Sequence, residues 1–125
     1  MSNLLQELLA ERPWLLADGA TGTNFFAAGL EAGAAPELWN IDHPDKVLAQ
    51  YTSFIDAGSD IILTNTFGGT RYRLKLHDAA ERVAEINIAA ARLARQASDA
   101  AAKETGRKIA VAGSMGPTGE LFMPL

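Results

Sequence analysis

The sequence predicts an α/β fold with parallel strands and outer helices, and three observations predict it. Short apolar runs without polar alternation stand at residues 15–17, 60–64 and 108–113. Longer segments with apolar residues at helical spacing lie between and before them. Strands alternating with helices of that length form βαβ units, whose crossovers set the strands parallel. A length of 125 residues suits one domain with a real core better than two.

The amino-terminal helix is expected within residues 1–13, where Leu4, Leu5, Leu8 and Leu9 make an amphipathic stripe that Pro13 ends. Leu15, Leu16 and Ala17 then read as a buried strand that stops at Asp18-Gly19. Residues 21–40 are rich in Gly and Ala and hold Pro36, so they read as a long irregular connection with at most one helical turn. Pro44 opens a helix in the favoured first-turn position, with Asp45 complementing its dipole. Val47, Leu48, Tyr51, Phe54 and Ile55 form its apolar stripe, and Gly58 is its stop signal.

Residues 60–64 form the clearest strand, and the unbroken apolar run suggests burial on both faces. A second long helix is expected from Asp78, with Glu81 completing a capping box. Its stripe is Val83, Ile86, Ala90, Leu93 and Ala97, and it ends by Gly106. Residues 108–113 supply the last strand.

Composition excludes several functions. Eleven basic against fifteen acidic residues give a net charge of −4, and scattered Lys and Arg are unlike a nucleic-acid binder. The polar breaks at Gln6, Glu7, Glu11 and Arg12 exclude a signal peptide, and no apolar run approaches membrane-spanning length. A cytoplasmic protein is the resulting expectation. Without a cysteine the chain has no disulfide, thiolate zinc site or cysteine nucleophile of its own. His43 and His77 lack a second ligand at metal spacing. Neither DGATGT nor the glycines at 113, 116 and 119 match a phosphate loop.

In parallel α/β folds, ligands bind beyond the carboxyl ends of the strands. Three loops follow strand ends here, at residues 18–23, 64–69 and 113–119. All are rich in glycine and small polar side chains that could rim one pocket. Each also reads as a plain turn. Asp18 is either an Asx-turn or capping residue or a group that holds a substrate amine. Asn65 either satisfies neighbouring backbone or faces a ligand.

The motifs DGATGT, PELWN, AGSDIILTNTFGG and GSMGPTGE, in that order, resemble the amino-terminal part of the homocysteine S-methyltransferases. The likeness runs from about Leu15 to Leu125, and its wording is nearest to the bacterial betaine-type enzymes. It implies a (β/α)8 barrel of which residues 1–125 are the first three βα units, since a whole barrel needs about 250 residues. It implies homocysteine and a methyl donor, betaine first, as substrates, with no nucleic acid or membrane as partner. Asp18, Gly19 and Thr21, then Thr64, Asn65, Thr66 and Phe67, then Ser114 and Gly116 match positions near the amino-acid substrate. The family's zinc, held by three cysteine thiolates, activates the homocysteine sulfur, and those cysteines have no counterpart here.

The resemblance therefore implies part of a substrate pocket without the metal site, in a chain expected to be inactive by itself. Three other readings stand beside it. The homocysteine-binding module of a cobalamin-dependent methionine synthase carries the same motifs. A non-catalytic piece could pair with another copy or a separate remainder through its open sheet. A small phosphate-binding domain built on DGATGT is the weakest reading.

Overall fold

A computed structural model describes residues 3–123. Met1, Ser2, Pro124 and Leu125, which belong to the expected amino-terminal segment and to the closing motif, lie outside the described residues. The helices are α1 (Leu4–Glu11), α2 (Gly22–Ala27), α3 (Trp39–Asp42), α4 (Pro44–Asp56), α5 (Arg71–Leu74) and α6 (Val83–Thr105). The strands are β1 (Ile61–Leu63) and β2 (Ala110–Ala112), paired parallel with Ile62 opposite Val111.

The first expected strand is reduced to a single parallel bridge between Ala17 and Ile61. The cause is a side chain. Asp60 Oδ2 takes the Leu16 amide at 2.9 Å, where a full ladder would offer a backbone carbonyl. Ser59 O is occupied by Arg107 Nη2 at 3.0 Å. The amides of Asp60 and Ile61 converge instead on Leu16 O. The order Ala17 segment, β1, β2 nevertheless follows the chain.

Helices α4 and α6 cover one face of this sheet. Val47, Tyr51 and Ile55 from α4 meet Ile62, Ile109 and the Leu93, Ala94, Ala97, Ala101 side of α6 in one core cluster. The alanines let the two helices approach closely, which explains the Ala-rich composition of α6. The other face is not covered. Leu63 is 39% and Leu16 47% exposed, while Ile62 is 0%, which corrects the expectation that β1 is buried on both sides. An apolar run without alternation records two apolar faces, and among the described residues only one of them has a partner.

Two further expectations need correction. The connection over residues 21–40 carries α2, a 3-10 turn at Pro36–Leu38 and the start of α3. Its Gly and Ala content concealed Phe25, Leu30 and Trp39, which bury 93% or more of their surface in the main core. The long helix starts at Val83, not Asp78, and has no capping box. Asp78 sits at φ +53 and closes a 3-10 turn, and a second such turn at Ala80–Arg82 precedes α6. The sequence also gave no sign of α5, capped by Thr70 Oγ1 on the Arg73 amide.

The glycine stops are where they were expected. Gly58 follows α4 at φ +111, with its amide and that of Ser59 closing on Ile55 O and Phe54 O at 3.0 Å. A methyl group there would have room, its nearest neighbour being Leu16 at 4.0 Å, so the cost of Gly58→Ala is conformational. It should lower the unfolding free energy by about 1 to 2 kcal/mol in a urea titration.

Candidate functional site

The loops that follow Ala17, β1 and β2 gather at one end of the sheet around a cleft of about 380 Å³. Asp18, Gly19, Thr21, Thr64, Asn65, Thr66, Phe67 and Ser114 all line it. Of the residues singled out from sequence, Gly116 alone is not in the lining. It packs beneath the cleft wall, where a side-chain carbon would come within 2.1 Å of Phe67 O. No residue but glycine fits at that backbone-to-backbone contact.

Two threonines join the β1 and β2 loops, and their protons can be assigned. Thr66 Oγ1 lies 2.7 Å from Ser114 O, a carbonyl that can only accept, so Thr66 donates there. The 2.7 Å contact between the two hydroxyls then has Thr64 as donor. Thr64 Oγ1 in turn accepts the Ser114 amide at 3.1 Å. Both hydroxyl protons are therefore taken within the protein, and the threonines fix the rim of the cleft.

Asn65 is similarly occupied. Its Nδ2 donates to Pro36 O and to Asn40 Oδ1, each at 2.9 Å. Asn40 Nδ2 returns a bond to Asn65 O at 2.9 Å and reaches Ile86 O at 3.3 Å. This buried pair ties the PELWN segment, the β1 loop and α6 together, so Asn65 does satisfy neighbouring backbone.

Asp18 differs from these. Its Oδ2 accepts the Leu63 amide at 3.1 Å, but its Oδ1 is buried with no hydrogen-bond partner. Burial raises its pKa from the ordinary carboxylate value, and the Leu63 amide offsets part of that. Glu37, 5% exposed, lines the same cleft and accepts the Gly68 amide at 2.7 Å. Two carboxylates and no Lys, Arg or His in the lining make a cleft suited to a cationic group.

Sequence reasoning missed Glu37, Asn40 and Tyr51. Glu37 had a signal: a lone carboxylate inside the otherwise apolar stretch AAPELW. Tyr51 was read as one member of an apolar stripe, which hid its hydroxyl.

The cleft offers carboxylate, hydroxyl and amide groups, hard donors without a thiolate. Among the described residues no group of three or more His, Cys, Asp or Glu side chains could hold a metal ion. No helix among them is long and apolar enough to cross a membrane.

The homocysteine S-methyltransferase family profile matches residues 15–124. A methionine synthase of Mycobacterium tuberculosis is 33% identical over 121 residues, covering 90% of this chain. The homocysteine methyltransferase MmuM of Escherichia coli, solved in a metallated form, superposes over 94% of this chain with a TM-score of 0.84 and 25% identity. An oxidized form gives 0.81 and 26% over the same share. The chain spans 10% of the length of the methionine synthase and 42% of the solved MmuM chain.

Proposed function

The chain belongs to the homocysteine S-methyltransferase family, and from that premise we propose that it supplies the amino-acid-binding part of an enzyme that methylates homocysteine to methionine. The observation that carries this reading is the unpartnered Asp18 Oδ1 in a cleft lined by the family-matched residues. Asp18 lines that cleft with one oxygen held by the Leu63 amide and the other buried and unsatisfied, a fixed carboxylate whose charge suits an ammonium group. Thr64, Thr66 and Asn65, their protons already used, hold the walls, and Phe67 covers one side. A phosphate ligand would meet two carboxylates and no cation, which counts against the nucleotide reading.

The same proposal makes residues 1–125 the first three βα units of a (β/α)8 barrel in a cytoplasmic enzyme. Consecutive parallel segments, helices on one face and the uncovered apolar face with Leu16 and Leu63 support it, since that face would be barrel interior. The family's thiolate zinc does not fit the residues of this chain, which has no cysteine. These residues bind and orient the amino-acid end of the substrate, and sulfur activation falls outside them.

Titration tests this directly. L-Homocysteine and L-methionine should shift the amide resonances of residues 18–21, 64–67 and 114 with similar weak affinity, because neither sulfur is contacted. Asp18→Asn should weaken both about tenfold by removing a charge-assisted bond. Shifts confined elsewhere, or unchanged affinity in Asp18→Asn, would overturn the assignment. Methionine formed by the pure chain from homocysteine, zinc and betaine would overturn the view that its site is partial.

Betaine is the donor we favour from the wording of the motifs. The likeness to a methionine synthase favours a second reading, in which a cobalamin-bound methyl is the donor. A methionine auxotroph that expresses the chain together with a cysteine-bearing remainder of the barrel separates them: growth on betaine without cobalamin supports the first, and growth that requires cobalamin the second.

A further inference from the structure

A second groove adjoins the cleft. It holds about 350 Å³, and Phe26, Pro36, Glu37, Phe67, Arg73 and His77 line it with small residues between them. Pro36, Glu37 and Phe67 also line the cleft, so the two spaces share a wall. One side of the groove comes from the segment after the Ala17 bridge, the other from the segment after β1. Both sides belong to this chain, unlike the uncovered face with Leu16 and Leu63.

Local structure sets the two basic side chains. Leu74 is fully buried with Ala79 and Ile86, which anchors α5, and Thr70 Oγ1 caps the helix on the Arg73 amide. The 3-10 turn Lys75–His77 continues directly from α5, so Arg73 and His77, four residues apart, fall on one side. Neither side chain makes a hydrogen bond or ion pair among the described residues. Residues 71–77 hold Arg71, Arg73, Lys75 and His77 and no acid, in a chain of net charge −4. The nearest counter-charge is Glu81, 4.0 Å from Arg71.

A solvated arginine needs no partner, and a scattered exposed phenylalanine needs no explanation. Here the features converge. Phe26 and Phe67 are 51% and 60% exposed, and both line the same concave space as the Arg73 guanidinium. Its volume falls within the roughly 300 to 1,000 Å³ of small-molecule sites, which are apolar with a few convergent polar groups.

We propose that this groove binds a small aromatic carboxylate, its ring against Phe26 and Phe67 and its acid group on Arg73. A guanidinium meets a carboxylate through two parallel N–H bonds, and His77 has a ring N–H to donate in either protonation state. Aromatic rings favour an aromatic body over an aliphatic one of equal area. Glu37, the third ionisable group of the lining, stands in the shared wall with Oε1 on the Gly68 amide at 2.7 Å. It repels a second carboxylate, which turns the acid end of the ligand toward Arg73 and its ring toward the wall. Arg73 and His77 do not line the cleft, so the groove is a site additional to the amino-acid site and independent of Asp18.

The probe is phenylacetate, followed at pH 7 by amide resonance shifts of the chain. Shifts should centre on residues 26, 67, 68 and 73–77. Phenylacetamide, neutral and of the same shape, and acetate, which lacks the ring, should each bind about tenfold more weakly. Arg73→Gln, a change at an exposed side chain, should weaken phenylacetate about tenfold and leave the L-homocysteine shifts at residues 18–21 unchanged. Phe26→Leu should weaken it about threefold.

Equal affinity for phenylacetate and phenylacetamide, or undiminished affinity in Arg73→Gln, would overturn the proposal. So would shifts confined to residues 18–21 and 64–66, which would put the acid in the cleft. L-Homocysteine is titrated separately, so failure of either site is read without the other.

Discussion

Asp60→Ala should lower the unfolding free energy by about 2 to 4 kcal/mol, from the loss of a buried, multiply bonded charge. Asp60 is 2% exposed at the start of β1. Its Oδ1 is paired with the Arg12 guanidinium and lies 3.6 Å from Arg107 Nη2, while its Oδ2 takes the Leu16 amide at 2.9 Å. Its backbone carbonyl accepts the Ala110 amide at 2.8 Å. One residue thereby joins the end of α1, the bridge segment, β1 and β2. Arg107 extends the knot to the end of α4 through Ile55 O and Ser59 O, both at 3.0 Å. Alanine would leave the part-buried Leu16 amide without its acceptor. The two arginines, 44% and 39% exposed, can recover water, which keeps the expected loss below that of a fully buried ion pair. A urea titration reads it, and a change under 1 kcal/mol would overturn the account.

The same residue sets the acid stability. Burial alone would raise the Asp60 pKa, but the Leu16 amide, the Arg12 bond and the charges of Arg12 and Arg107 outweigh it, and the net shift is downward. A carboxyl whose folded pKa is depressed contributes stability above its unfolded pKa, near 3.9, and loses it as pH falls through the folded value. Asp18 has the opposite sign: its pKa is raised, so it weakens the fold as it ionises with rising pH. Asp60→Ala should therefore make the decline below about pH 4 shallower, and Asp18→Asn should steepen it.

These two aspartates illustrate what the sequence could and could not express. The βαβ order, the stripe of α4, the Gly58 and Gly106 stops and the clustering of three strand-end loops were legible, because periodicity and loop chemistry are local. Asp60 looked like an ordinary strand start; its burial depends on Arg12 and Arg107, 48 and 47 residues away in the chain. Asp18 was legible as a candidate, yet only the fold distinguishes its free oxygen from the occupied amide of Asn65 and the occupied hydroxyls of Thr64 and Thr66. Residues 21–40 were misread because Gly and Ala content masks helix where a few large side chains, Phe25 and Trp39 above all, bury against distant elements.

Asn65→Asp should be at least as damaging as the loss of Asp60, by about 3 to 5 kcal/mol at pH 7, although the two side chains have nearly one shape. Asn65 is 8% exposed, and its amide nitrogen is the donor to both Pro36 O and Asn40 Oδ1. Aspartate would place an anion against two acceptors that lose their donor together. Asn65→Ala removes the donor without adding the charge, so its loss should be smaller, about 1 to 3 kcal/mol. The pH dependence separates charge from shape. The new carboxyl would have a raised folded pKa, so its penalty should shrink as pH falls and it protonates. Recovery would remain incomplete, because a protonated carboxyl has one proton for two acceptors. Urea titrations of both variants at pH 7 and pH 4.5 check this, and equal losses at pH 7 would overturn the assigned orientation of the amide. If the order holds, Asn65 acts on the cleft by holding the PELWN segment against the β1 loop, which leaves Asp18 as the side chain free to meet a ligand.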